Sequence, residues 1–63
     1  MQRLYYFDFV HAKTNAHFRA LVSYPPDVDA RAQASVEFGD PGWTLKFARA
    51  VCDTNERVAM EIP

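Results

Sequence analysis

Two short runs constrain this chain more than anything else in it. Leu4-Tyr5-Tyr6-Phe7-Asp8-Phe9-Val10-His11 and His17-Phe18-Arg19-Ala20-Leu21-Val22-Ser23-Tyr24 are built from aromatic and β-branched residues and separated by five residues, Ala12 to Ala16. Such residues favour the pleated, half-buried surface of a strand. A turn at Thr14-Asn15 sets Phe9 against Ala20, Phe7 against Val22 and Tyr5 against Tyr24, all on one face because side chains alternate along a strand. Tyr6, Asp8, Val10, His17, Arg19 and Leu21 then share the other face, with Asp8 diagonal to Arg19. The turn lacks Asn-Gly, which leaves room for a longer loop.

The middle of the chain carries two conflicting signals. Pro25-Pro26-Asp27-Val28-Asp29 supplies a proline and acids where helices start, and Gly39-Asp40-Pro41-Gly42 is a stop. Alanines between them are strong helix formers. Yet Ala30, Ala32, Ala34, Val36 and Phe38 alternate with Arg31, Gln33, Ser35 and Glu37, which is a strand period and gives a poorly amphipathic helix. The end signals and the weak strand propensity of alanine favour a helix over residues 26–38.

Beyond it, Trp43–Ala48 and Arg57–Ile62 alternate as strands around the polar loop Cys52–Glu56, with Leu45, Phe47, Val58, Met60 and Ile62 as the inward set. Arg49 breaks the pattern and marks a bulge or a strand end. The expected fold is a single α+β domain over residues 1–63: ββαββ, two antiparallel hairpins in one sheet with the helix on one face. The helix is expected to cover Phe7, Phe9, Phe18, Val22, Leu45, Phe47 and Met60. The alternative is an all-β five-stranded meander or small barrel. An open face mixing Tyr6, Val10, Leu21, Ala48 and Ala59 with Asp8, His17, Arg19, Lys46 and Glu61 is expected opposite the helix.

Composition trims the functional classes. With one cysteine, Cys52, no internal disulfide can form, and a reducing compartment, the cytoplasm, is the expected setting. Cys52 reads as a small half-buried residue. No apolar run reaches membrane-spanning length. A formal net charge of −1 argues against a general nucleic-acid binder. His11 and His17 fall on opposite faces and cannot share a metal; no zinc spacing, phosphate loop or nucleophile–base pair is present, so neither cofactor nor catalysis is expected. Trp43 reads as a lid on the helix end or as an exposed interface anchor.

Charge is uneven along the chain. Residues 1–24 hold Arg3, Lys13 and Arg19 against Asp8, +2, whereas Pro25 to Gly42 holds Asp27, Asp29, Glu37 and Asp40 against Arg31, −3. On a helix, Asp29, Gln33 and Glu37 fall in line, with Asp40 beyond them, as a solvated face or a phosphate-like ridge.

The strand pair around Tyr5–Tyr24, the alanine-rich stretch Val28–Phe38 and the pair Thr44–Ile62 follow one another as hairpin, helix and hairpin. In this architecture, over nearly the whole chain, the sequence resembles the small anti-CRISPR proteins of phages and mobile elements. The resemblance shares no motif, so no functional residue carries over. It implies a non-enzymatic inhibitor in the bacterial cytoplasm that occupies a host complex and blocks nucleic-acid recognition or nuclease recruitment. From the residues, the expected contact surface is Tyr6, Lys13, His17, Arg19, Arg31 and Lys46. A nucleic-acid-binding module on the same face, an antitoxin-like accessory subunit and a homodimer joined through sheet edges are the other readings.

Overall fold

The computed structural model describes residues 1–39 and 41–63; the acid at position 40, last in the acidic line, lies outside the described residues. The fold is α+β. Strands β1 (Gln2–His11), β2 (His17–Tyr24), β3 (Trp43–Thr54) and β4 (Ala59–Ile62) form one antiparallel sheet, and helix α1 (Ala30–Phe38) lies on one side of it.

β1 and β2 form the expected hairpin with the register moved by two residues. Phe9 opposes Phe18, Phe7 opposes Ala20 and Tyr5 opposes Val22. A shift of two preserves the side-chain alternation, so every residue keeps its expected face. The shift comes from the turn. Asn15 adopts the left-handed conformation at φ 59°, its amide donates to the His11 carbonyl at 3.0 Å, and the His11 amide donates to the Ala16 carbonyl at 2.9 Å. Four residues, Ala12 to Asn15, therefore loop out where two were expected. Asparagine tolerates that conformation better than other non-glycine residues.

The second hairpin does not form. The sheet order is β3-β1-β2-β4, so β3 pairs with β1 and β4 with β2, at opposite edges. Residues 55–58 carry the chain across the end of the sheet. Three strand spacings are about 14 Å, close to the reach of four extended residues. Ser23 fixes the crossing: its hydroxyl donates to the Glu56 carbonyl at 3.2 Å and accepts from the Val58 amide at 2.7 Å.

α1 starts later than expected, at Ala30. Asp29 caps it, its carboxylate accepting from the Ala32 amide at 3.2 Å, while Pro25 and Pro26 belong to a preceding turn closed by the Val28 amide on the Pro25 carbonyl. Ala30 and Ala34 are buried and Phe38 packs beside the core, one stripe at a spacing of four residues. Alanine at the contact lets the helix approach the sheet closely enough to cover Phe7 and Phe9, both 0% exposed. Phe18, Phe38 and Trp43 close the core at one end, with Trp43 edge-on to His11 at a centroid distance of 5.1 Å. Trp43 is thus part of the core margin on the helix side.

Tyr24 ties the helix to β2, its hydroxyl donating to Glu37 Oε1 at 2.6 Å. Burial first, then the hydrogen bond and charge of Glu37, hold the phenol well above the usual tyrosine range. The folded state therefore keeps a proton that the unfolded chain releases near pH 10. Stability from this group is complete below that pH and falls as pH rises further, because the native state then binds more protons than the unfolded one. We expect the stability gap between the native chain and Tyr24→Phe to narrow above about pH 10, read by urea unfolding at several pH values; a gap independent of pH would refute the coupling. Phe7→Ala should cost about 3–5 kcal/mol, against a total of roughly 3–9 kcal/mol for a domain of this length. Loss of the folded circular dichroism signal would register it, and a stable Phe7→Ala protein would show that the core lies elsewhere.

Candidate functional site: the open face of the sheet

Residues directly opposed across strands share a face, so the pairings assign the surface that α1 leaves uncovered. One row runs Arg49, Tyr6, Leu21 and Met60 from β3 to β4. The adjacent row runs Phe47, Asp8, Arg19 and Ile62. Val10 and His17 extend it at one end, and Leu4 opposite Cys52 at the other. Phe47 is 49% exposed and Met60 54% exposed, and the Phe47 ring meets Tyr6 edge-on with centroids 6.2 Å apart. The uncovered side of this sheet carries apolar side chains from all four strands around the Asp8–Arg19 pair, with Ser23 and Thr44 toward its ends, where a solvated antiparallel face is ordinarily polar.

Several expectations change here. Phe47, Met60 and Ile62 were assigned inward and face outward. For Phe47 the cause is a bulge: β3 passes from Leu45, opposite Phe9, to Phe47, opposite Asp8, with Lys46 as the extra residue. For Met60 and Ile62 the cause is the pairing of β4 with β2, where Met60 opposes Leu21 and Ile62 opposes Arg19. By the same pairings Ala48, Ala59 and Glu61 leave the open face for the helix side. A second irregularity, at Val51, lets Cys52 oppose Leu4, and Cys52 is exposed where half-burial was expected.

Of the expected contact residues, the structure brings Tyr6, His17 and Arg19 together on the open face. Lys46 is the extra residue of the β3 bulge, next to Asp8 and Phe9 of β1 and separated from His17 and Arg19 by that strand, and is exposed. Lys13 lies in the β1–β2 turn at the end of the sheet. Arg31 belongs to α1, in the other layer, and cannot join Tyr6 in one contact; its place on the expected rim is corrected. Phe47, Arg49 and Met60 were missed. The break at Arg49 was the available signal, since a bulge near it reverses the side of every residue beyond.

Electrostatics on this face centre on Asp8. Its carboxylate is 14% exposed and lies 3.0 Å from His17 Nδ1 and 4.0 Å from Arg19 Nε. Arg19 is directly opposite Asp8, closer than the diagonal expected. His11 is on the helix side with Trp43, so the two histidines are separated by the sheet as expected. Among the described residues no group of three His, Cys, Asp or Glu side chains is placed to hold a metal, and no helix is long and apolar enough to cross a membrane. A cleft of about 420 Å³ opens on the helix side between Phe38, Tyr24, Arg57 and Val58.

Comparison with protein-family models, curated proteins and solved structures finds no match to this chain.

The outward position of Met60 depends on β4, and β4 on Ser23. We expect Ser23→Ala to cost about 1–3 kcal/mol through the unpaired Val58 amide and Glu56 carbonyl. Amide exchange at Ala59–Ile62 should accelerate more than at Phe7 and Phe9; unchanged protection of β4 would show that its four ladder positions hold it without the clamp.

Proposed function

We propose that this chain acts without catalysis, as a protein-binding module whose contact surface is the open face of its sheet. The observation that carries this reading is the set of apolar side chains Tyr6, Leu21, Phe47 and Met60 on the side that α1 does not cover, with Phe47 and Met60 about half exposed. Exposed apolar surface rimmed by polar and charged groups is the usual mark of a protein contact, and Tyr, Phe, Met and Arg are enriched at such sites. The resemblance to small anti-CRISPR proteins rests on the order of elements alone, since β3 and β4 do not pair as a second hairpin, and it suggests one form of this binding, an inhibitor that occupies a host nucleic-acid-targeting complex. A nucleic-acid surface draws support from the Tyr6–Phe47 pair beside Arg49, but Leu4, Leu21, Met60 and Ile62 offer no stacking planes and Asp8 would face the phosphates.

Phe47→Glu with Met60→Glu alters two half-exposed side chains, so the fold and thermal midpoint should change little. The immobilised native chain should capture discrete proteins from a bacterial lysate that the double variant does not. Arg31→Glu, on the opposite layer, should leave capture intact. Equal capture by the folded double variant would remove the open face from the interaction.

A further inference from the structure

The sheet separates charge as well as polarity. Among the strand acids, Asp53 opposes Arg3 and Glu61 opposes Ala20, so both lie on the helix side. Asp29 and Glu37 belong to α1 and its cap, on that same side. Asp8 is the acid that the pairings place on the open face, and it is already engaged, 3.0 Å from His17 Nδ1 and 4.0 Å from Arg19 Nε. Arg49 ends the apolar row at the β3 edge and makes no ion pair among the described residues. Lys46 stands in the adjacent bulge, exposed. A chain of net charge −1 therefore presents an apolar face with a cationic flank on β3 and an uncharged flank of Met60 and Ile62 on β4.

We infer, building on the protein-binding reading above, that the open face receives an amphipathic helix whose apolar stripe is bordered on one side by carboxylates. The row from Arg49 to Met60 crosses four strands, about 14 Å, and is apolar over three of them, and Leu4 to Val10 runs about 20 Å along β1. A helix of some 13 residues covers that length. A sheet with one helix on one face completes a three-layer packing when a second helix covers the other. Charge selects the partner. A second copy stacked face to face would offer Arg49 and Lys46 no free carboxylate, because Asp8, the acid the pairings place on this face, is held by His17 and Arg19, whereas carboxylates on a partner helix would meet them with opposite sign. Arginine recognises carboxylates through its planar fork of donors.

The test uses the full chain and two helical peptides of about 16 residues with the same Leu stripe, bordered by Glu in one and by Lys in the other. An oligouridine and the protein alone at high concentration are the further arms. Amide chemical shifts should move at Tyr6, Leu21, Arg49 and Met60 and not along α1. The Glu peptide should bind about tenfold tighter than the Lys peptide at low salt, with the margin shrinking as salt rises. Lys46→Glu with Arg49→Glu should reverse the preference. Equal binding of both peptides, binding of neither, shifts confined to α1, tighter binding of the oligouridine, or a dimer that buries the face would each overturn the inference. The two readings fail separately: loss of capture by Phe47→Glu with Met60→Glu, without peptide preference, leaves a protein-binding face and removes the acidic helix. Retained capture by that variant removes the face itself.

Discussion

β1 is hydrogen-bonded on both sides, to β2 over eight paired positions and to β3 over ten. Its Phe7 and Phe9 are the largest fully buried side chains among the described residues. The rest of the molecule is arranged around that strand. A chain this short buries only about 60% of its unfolded surface, and one helix cannot cover two faces of a sheet. α1 is therefore placed on the odd-numbered side of β1, over the phenylalanines, and the even-numbered side is left without cover. The thinness of the molecule, 15 Å along its shortest axis, is that of a single helix laid on a single sheet.

The middle segment shows how a two-residue period can conceal a helix. Ala30, Ala32, Ala34, Val36 and Phe38 alternate, yet Ala30, Ala34 and Phe38 among them fall four apart and make one stripe. Only that subset meets the core; Val36 is 81% exposed. The remaining alternation records nothing about the sheet. The caps decided the matter physically: the Asp29 carboxylate satisfies an amide at the start, and the Gly39 amide donates to the Ser35 carbonyl at 3.0 Å at the end.

The same contrast separates what was readable in the candidate site from what was not. Tyr6, His17 and Arg19 could be placed because alternation within a hairpin depends on parity, and the longer loop around Asn15 moved the register by an even number. The element order, the helix and the first hairpin were legible for similar local reasons. The sheet order was not. Met60 and Ile62 alternate with Glu61 whichever neighbour they pair with, and the period cannot tell which of the two sides meets the core. Assigning the apolar side inward is the natural choice, and the pairing of β4 with β2 reverses it. At Phe47 a single extra residue did the same. In both places apolar residues were read as core because core is what apolar residues usually make.

That reversal has a cost which the fold does not recover on its own. Turning Phe47, Met60 and Ile62 toward solvent removes apolar area from a core that has little to spare. At roughly 25 cal/mol per Å², keeping even a part of these side chains exposed forgoes stabilisation of the order of a kcal/mol or more. The crossing that holds β4 in place is specific, since Ser23 uses its hydroxyl both as donor and as acceptor to fix it. The bulge that turns Phe47 outward also sets Lys46 out of the ladder at a sheet edge, where a cation and a bulge both discourage edge-to-edge association. The edge is thus protected while the face beside it is left apolar. A chain that guards its β3 edge and exposes the face beside it has an arrangement suited to covering by another molecule from above, and poorly suited to extending its sheet past β3.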